Sequence, residues 1–347
     1  MLAKARLIGG CMAAVLVITG VLAATASAKK PETKYIGLGD SLAFGYTQQK
    51  FEENFPTENP EAFEAGYVTL LGKKLGKLEK EAGNKLSTVN LGCPGELSDG
   101  LIGHNEAFGG GSGAEFNPCA YHNVTGFPLH FEHGSSSQLE AAFGLVSAEP
   151  SATKAVTINI GSNDELKIVA LCENPAYREE QGFPTTELGV TICIATEAGE
   201  EGHFYPGGAF HHIIANTGAA IGTLRAAGYA GPVAVLGFYN PQTFVLPGSD
   251  ALQARLNEVF EEVIGAGELG PGVVYANPFP IINPQENEEL EHKTICKYTE
   301  MCNAHDIAVN NKKQEEKGET PRNEGDIHPT PKGYKVLAKL LYKALGH

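Results

Sequence analysis

Five short, mostly β-branched and apolar runs punctuate the chain, at Lys34–Leu38, Leu86–Leu91, Ala155–Ile160, Pro232–Leu236 and Val273–Tyr275, and each is followed within a few residues by Gly or Pro. Runs this short and this apolar fit strands buried on both faces. Between them lie segments of helical period. Tyr67, Leu70, Leu71, Leu75 and Leu78 recur every three or four residues, which marks a helix with one buried face. A second helix is expected over Ala209–Ala227 with Ile213, Ile214, Ile221 and Leu224 inward, and a closing helix after Pro331 with Tyr334, Val336, Leu337, Leu340 and Leu341 inward. Thr330-Pro331 supplies that last helix with an N-cap and a first-turn proline. Strands alternating with helices specify an α/β fold in which a parallel sheet is covered by helices.

The N-terminus reads as an export signal. Lys4 and Arg6 precede an apolar run from Leu7 to Leu22, and Ala26-Ser27-Ala28 offers a cleavage site. Residues 1–28 are therefore expected to be removed, Cys11 with them, leaving 29–347 as one domain with no stable membrane insertion. A membrane anchor is the competing reading, but Gly9, Gly10, Thr19 and Gly20 interrupt the apolar stretch. The formal charge of −15 becomes −17 once Lys4 and Arg6 are lost, because residues 1–28 hold no Asp or Glu. So acidic a chain repels nucleic acid and anionic lipid, and neutral substrates remain open. It is expected to be extracellular and monomeric.

Of seven cysteines, six follow the signal: Cys93, Cys119, Cys172, Cys193, Cys296 and Cys302. An even number in an exported chain points to disulfides, with many connectivities open. Sequential pairing, Cys93–Cys119, Cys172–Cys193 and Cys296–Cys302, closes each loop within one insertion between strands. Zinc is the alternative, since Cys119 lies among His104, His122, His130 and His133, but a paired-cysteine ligand motif is missing. Two stretches, 99–137 rich in Gly and His and 167–208 rich in Glu, Gly and Pro, read as long loops beyond the carboxyl ends of strands. Open α/β sheets place their sites there. They form either a substrate-binding rim or disulfide-stapled decoration.

Chemistry-bearing residues fall at the ends of the runs. Gly39-Asp40-Ser41-Leu42 puts a serine hydroxyl just past the first strand, where a helix begins and its N-terminal amides are at hand. A dinucleotide-binding loop would need Gly or Ala where Leu42 stands. The second strand leads into Asn90-Leu91-Gly92-Cys93-Pro94-Gly95-Glu96 and the third into Gly161-Ser162-Asn163-Asp164. Singly these are turn formers; together a glycine amide and an Asn amide at adjacent strand ends can face one oxyanion. Near the end, Gly325-Asp326-Ile327-His328-Pro329 places an imidazole before the last helix.

With these four blocks in this order, the chain from Tyr35 to its last helix resembles the SGNH (GDSL) hydrolase family. Tyr67 after Gly66 and the Cys-Pro-Gly of the second block are most similar to secreted, disulfide-containing actinobacterial members. The resemblance implies a three-layer α/β/α, flavodoxin-like domain whose five-stranded parallel sheet runs 2-1-3-4-5. It implies Ser41 as nucleophile and His328 as base, with Ser41 and Gly95 amides and the Asn163 side chain holding the oxyanion. No metal or organic cofactor is then required, since the chain supplies every group.

One position departs from the family pattern. The usual Asp three residues before the His is Gly325 here, and Asp326 is only two before. On an extended loop adjacent side chains diverge, so Asp326 does not simply inherit the orienting role: the third member of the triad is either Asp326 or a main-chain carbonyl, and Asp326→Asn is expected to keep more than about one hundredth of turnover. The pentapeptide Gly-x-Ser-x-Gly of α/β-hydrolases is missing, because Gly39-Asp40-Ser41-Leu42-Ala43 fails at its last position. The expected function is secreted hydrolysis of carboxylic esters, lipid or simple, through an acyl-enzyme on Ser41. The alternatives are a carbohydrate acetyl esterase and a non-catalytic glycan- or lipid-binding protein. Phe44, Tyr46, Phe51 and Phe55 are candidates for an acyl pocket, or for plain packing.

Overall fold

The computed structural model describes residues 31–347 except 56–58, 104–118, 120, 121, 123–125, 127, 135, 206, 245 and 247. The signal segment 1–28, Cys11, His104 and much of the first insertion lie outside the described residues. Five strands, β1 (Glu32–Gly39), β2 (Lys85–Asn90), β3 (Thr153–Asn159), β4 (Val233–Leu236) and β5 (Val273–Ala276), form one parallel sheet in the order β2-β1-β3-β4-β5. This is the flavodoxin-like order, and its reversal of direction falls between β1 and β3.

Side chains alternate across the sheet with a period of two. Ile36, Leu38, Val156, Ile158, Val233 and Val235 face the helices Gln138–Ala148, Gly208–Ala226 and Ser249–Gly265. Tyr35, Ala155, Ala234 and Leu236 face the helices Tyr67–Glu81, Glu288–Tyr298 and Pro331–Ala344. Three layers result. Both faces of the central strands β1, β3 and β4 are largely buried, and each fully buried aliphatic side chain there contributes about 1.5–3 kcal/mol. The closing helix starts as its sequence indicates, with the Thr330 hydroxyl accepting from the Gly333 amide at 3.1 Å.

The second insertion corrects the sequence reading. Instead of a long loop, residues 167–208 are largely helical, completing the helix Ser162–Glu173 and adding Pro175–Glu180 and Glu187–Ala198. Pro175 opens one helix, Thr186 caps the next, and Gly199 ends it. The disulfide Cys172–Cys193, Cα atoms 5.6 Å apart, ties the first of these helices to the third. Around it Ile168, Ile194, Tyr205 and Ala209 make a small apolar core of their own. Cys93–Cys119 and Cys296–Cys302 are also bonded. The Cys119 sulfur is thus no thiolate, which removes the soft ligand from the zinc arrangement. His130 and His133 instead make ring hydrogen bonds, both 3.0 Å, with the carbonyls of Phe44 and Ser136. Among the described residues no helix is long and apolar enough to cross a membrane.

Candidate active site

β1 ends at Gly39, and the backbone turns at once into a one-turn helix, Ser41–Phe44. Asp40, fully buried, caps that turn by accepting the Leu42 amide at 2.9 Å. Burial pushes the Asp40 carboxyl up to about 7, against the Leu42 hydrogen bond. The turn lifts Ser41 to the carboxyl edge of the sheet. There its Oγ lies 2.8 Å from Nε2 of His328.

The other ring nitrogen of His328 meets one of the two candidates that the sequence leaves open. Nδ1 lies 2.5 Å from Oδ1 of Asp326. The chain is not extended here; it bends at Ile327 and His328. Asp326 Oδ1 also accepts the amide of His328, two residues on, at 3.2 Å, a local turn that aspartate side chains favour. That bend, rather than residue spacing, brings the carboxylate round to the imidazole. The Gly325 carbonyl, by contrast, accepts the Asn310 amide at 3.1 Å. Gly325 has a different task. Its amide donates to Met301 O at 3.0 Å, and a Cβ on it would fall 2.3 Å from Glu300 O, so no side chain fits where the family usually carries its Asp.

Further contacts hold the histidine loop. The Tyr239 hydroxyl donates to Ile327 O at 2.8 Å, and the Glu300 amide donates to His328 O at 2.9 Å. The Cys296–Cys302 bridge closes the turn that carries Glu300 and Met301. Asp326 is buried, and burial alone would raise its carboxyl. The His328 charge and hydrogen bonds from His328 and the Gln48 amide (2.7 Å) outweigh this and hold it below its ordinary value. An ionised acceptor is therefore fixed on Nδ1, which leaves Nε2 to take a proton from Ser41.

The oxyanion candidates converge on the same edge. Cys93 to Glu96 form a turn closed by the Glu96 amide to Cys93 O at 3.2 Å, with Pro94 second and Gly95 third at φ +78°. These are the type II positions, and the third requires glycine. The turn hydrogen bond does not use the Gly95 N–H. Asn163, in the first turn of the helix Ser162–Glu173, gives one amide hydrogen to Glu96 O at 2.9 Å; the NH2 group retains a second. Ser41, Gly95, Asn163 and His328 all line one cavity.

Sequence reasoning missed the support beneath this edge. The buried Gln138 accepts the Gly39 amide at 2.9 Å and donates to Gly39 O at 2.8 Å and to Glu96 at 3.3 Å. Asp164 accepts the amide and hydroxyl of Ser98 at 3.0 and 2.7 Å. The ends of β1, β2 and β3 are thus bound together by side chains. Burial raises Glu96 to about 7 and Asp164 to about 6 despite these bonds. The adjacency of Asn163 and Asp164 was a signal in the sequence; Gln138 offered none.

The cavity measures about 570 Å³. Beyond Ser41 its walls are mainly apolar, with Leu166, Val169, Ile194, Phe210, Leu246 and Leu252 among them. Of the four early aromatic candidates only Tyr46 lines it. Phe44 belongs to a separate core with Phe63 and the Cys93–Cys119 bridge, Phe51 packs on Tyr46 with ring centroids 5.9 Å apart, and Phe55 is exposed.

No protein-family model and no curated protein matches the sequence. Solved structures similar to the chain include a lipase from a goat rumen metagenome, 15% identical with a TM-score of 0.44, covering 90% of this chain and 97% of that one. A member of the lipolytic G-D-S-L family from Veillonella parvula is 13% identical, with a TM-score of 0.41 and coverage of 88% and 94%. A variant of the acetyl-xylooligosaccharide esterase Axe2 from Geobacillus is 13% identical, with a TM-score of 0.43 and coverage of 92% and 96%.

Proposed function

We propose that the protein is a secreted serine ester hydrolase of the SGNH type that acts on carboxylic esters with an apolar acyl chain. The observation that carries this reading is the relay from Ser41 through His328 to Asp326, opening onto an apolar cavity. Ser41 Oγ attacks the ester carbonyl carbon while His328 Nε2 takes its proton, and Asp326 stabilises the imidazolium that forms. The Ser41 and Gly95 amides and the Asn163 amide receive the developing oxyanion. Collapse of the tetrahedral intermediate expels the alkoxide, which takes the proton back from His328. Water then repeats the sequence on the acyl-enzyme and frees the acid. Every step uses groups of the chain itself, so the reading assigns no cofactor or metal.

The cavity favours long acyl groups over acetyl, since an acetyl group would leave most of its apolar wall uncovered. Three disulfides support an oxidising, extracellular setting. Incubation with a fluorophosphonate probe, followed by peptide mapping, should place the label on Ser41. A profile of ethyl esters against acetylated xylo-oligosaccharides should favour the former. Preference for acetyl sugars would support the carbohydrate esterase instead, and failure to label would support a binding protein.

A further inference from the structure

The helix Ser162–Glu173 presents Ser162, Glu165, Leu166 and Val169 to the cavity, three and four residues apart. Glu165 is the one acid on that stripe. Opposite, the helix Ser249–Gly265 presents Ser249, Leu252 and Gln253. Across the gap, Gln253 Nε2 lies 3.3 Å from each carboxyl oxygen of Glu165. A carboxyl and an amide thus face each other on a mainly apolar wall, and the relay does not use them.

An unpaired carboxylate in such a place is costly unless something answers it. Burial pushes Glu165 up to about 8, with Gln253 opposing and the charge of Asp164 reinforcing the shift. At neutral pH the group is therefore mostly a neutral carboxylic acid, a donor as well as an acceptor. A primary amide beside it has the same dual character. Such a pair is complementary to a neutral group that both gives and accepts a hydrogen bond, and a cation would be matched only by the ionised form.

We propose that Glu165 and Gln253 form a specificity site for a hydroxyl group on the acyl chain of the substrate. The proposal rests on the hydrolase reading and names the substrate within it. The acyl portion is the part that stays bound to Ser41 through both half-reactions, and the mainly apolar wall suits it. Glu165 lies two residues beyond Asn163 on one helix, a rise of about 3 Å. Glu165 and Gln253 both line the cavity that Ser41 opens onto, so the hydroxyl would sit on the part of the acyl chain held in that cavity. The same pair disfavours unsubstituted chains, because a methylene there would strip its hydrogen-bonding partners without replacing them.

The test compares kcat/KM for ethyl hexanoate, ethyl 3-hydroxyhexanoate and ethyl 5-hydroxyhexanoate, measured by acid release. For the wild type, at least one hydroxy ester should exceed the plain ester by about tenfold or more. Glu165→Gln, which keeps the polar pair, should retain most of that preference. Glu165→Leu and the double variant Glu165→Leu, Gln253→Leu should abolish it while hydrolysing the plain ester at least as well. A wild type that prefers the plain ester over both hydroxy esters, or a preference unchanged in Glu165→Leu, overturns the specificity site and leaves the hydrolase reading standing. Absence of turnover on all three esters, together with no fluorophosphonate label on Ser41, overturns both.

Discussion

Replacing Asp326 with Asn tests the arrangement around His328 most directly. In the native loop, Asp326 Oδ1 receives two donors, the amide and Nδ1 of His328, and Oδ2 receives the Gln48 amide. An asparagine offers one oxygen and one NH2, so one of these sites must meet a donor. If the NH2 faces Gln48, a part-buried amide loses its acceptor at about 1 kcal/mol, and the imidazolium loses its counter-charge. Two unit charges about 4 Å apart at an effective dielectric near 20 interact by about 4 kcal/mol, which is about a thousandfold in rate. If the NH2 faces His328 instead, Nδ1 must give up its proton and Nε2 must carry it, so the base is in the wrong tautomer. That outcome costs about 10⁴ in a well-studied protease triad. Asp326→Asn should therefore lower kcat for a simple ester by about 10³ to 10⁴ with an unchanged circular dichroism spectrum and a melting temperature lowered by a few degrees. A folded variant that keeps more than about one hundredth of native turnover would refute the reasoning, since the Gly325 carbonyl already serves Asn310.

Ser41→Ala and His328→Ala should each abolish nearly all ester hydrolysis and leave folding intact, read by initial rates and thermal denaturation; retention of a tenth of turnover would remove Ser41 as nucleophile. Gly325→Ala should lower both Tm and kcat, because its methyl group meets the backbone of Glu300 and Met301; an unaffected variant would show the histidine loop to be loosely held. Asp40, Glu96, Asp164 and Glu165 carry pKa values raised to between about 6 and about 8, so between the ordinary carboxylate range and those values the native state binds protons that the unfolded chain releases. Stability from these groups is then fully present near pH 4 and falls as pH rises towards 8; Asp326, shifted the other way, contributes stability that is lost only as pH falls through its own depressed value. Scanning fluorimetry from pH 4 to 8 should show Tm declining across that range, and a rising profile would contradict the burial of these acids.

The five strands were legible because each is short, carries β-branched or other apolar residues and is followed by a turn former, and the observed strands differ from the expected runs by at most two residues at either end. Ser41, Gly95, Asn163 and His328 stood out because each follows a strand or precedes a helix in a fixed local context. What local context does not encode stayed hidden. Gln138 is an ordinary first-turn helix residue until the fold brings Gly39 against it. The direction of the Asp326 side chain depends on a bend that Met301 and Asn310 stabilise from elsewhere in the chain. The helices within 167–208 were obscured by composition, since the disulfide between Cys172 and Cys193 supplies order that weak amphipathicity does not signal.

The separation in sequence between the two halves of the relay carries a consequence for biosynthesis. Ser41 and His328 are 287 residues apart, and the Gln48 amide that holds Asp326 is 278 residues from it. A chain emerging from the ribosome forms the strand and turn beneath its serine early, while the imidazole comes within reach only after the β5 edge and the last helix have docked. Contacts of such sequence separation form later and more slowly than local ones. Nascent and partly folded forms would thus carry a serine without a base, and the onset of hydrolysis would time the final docking step more sharply than any spectroscopic signal of secondary structure.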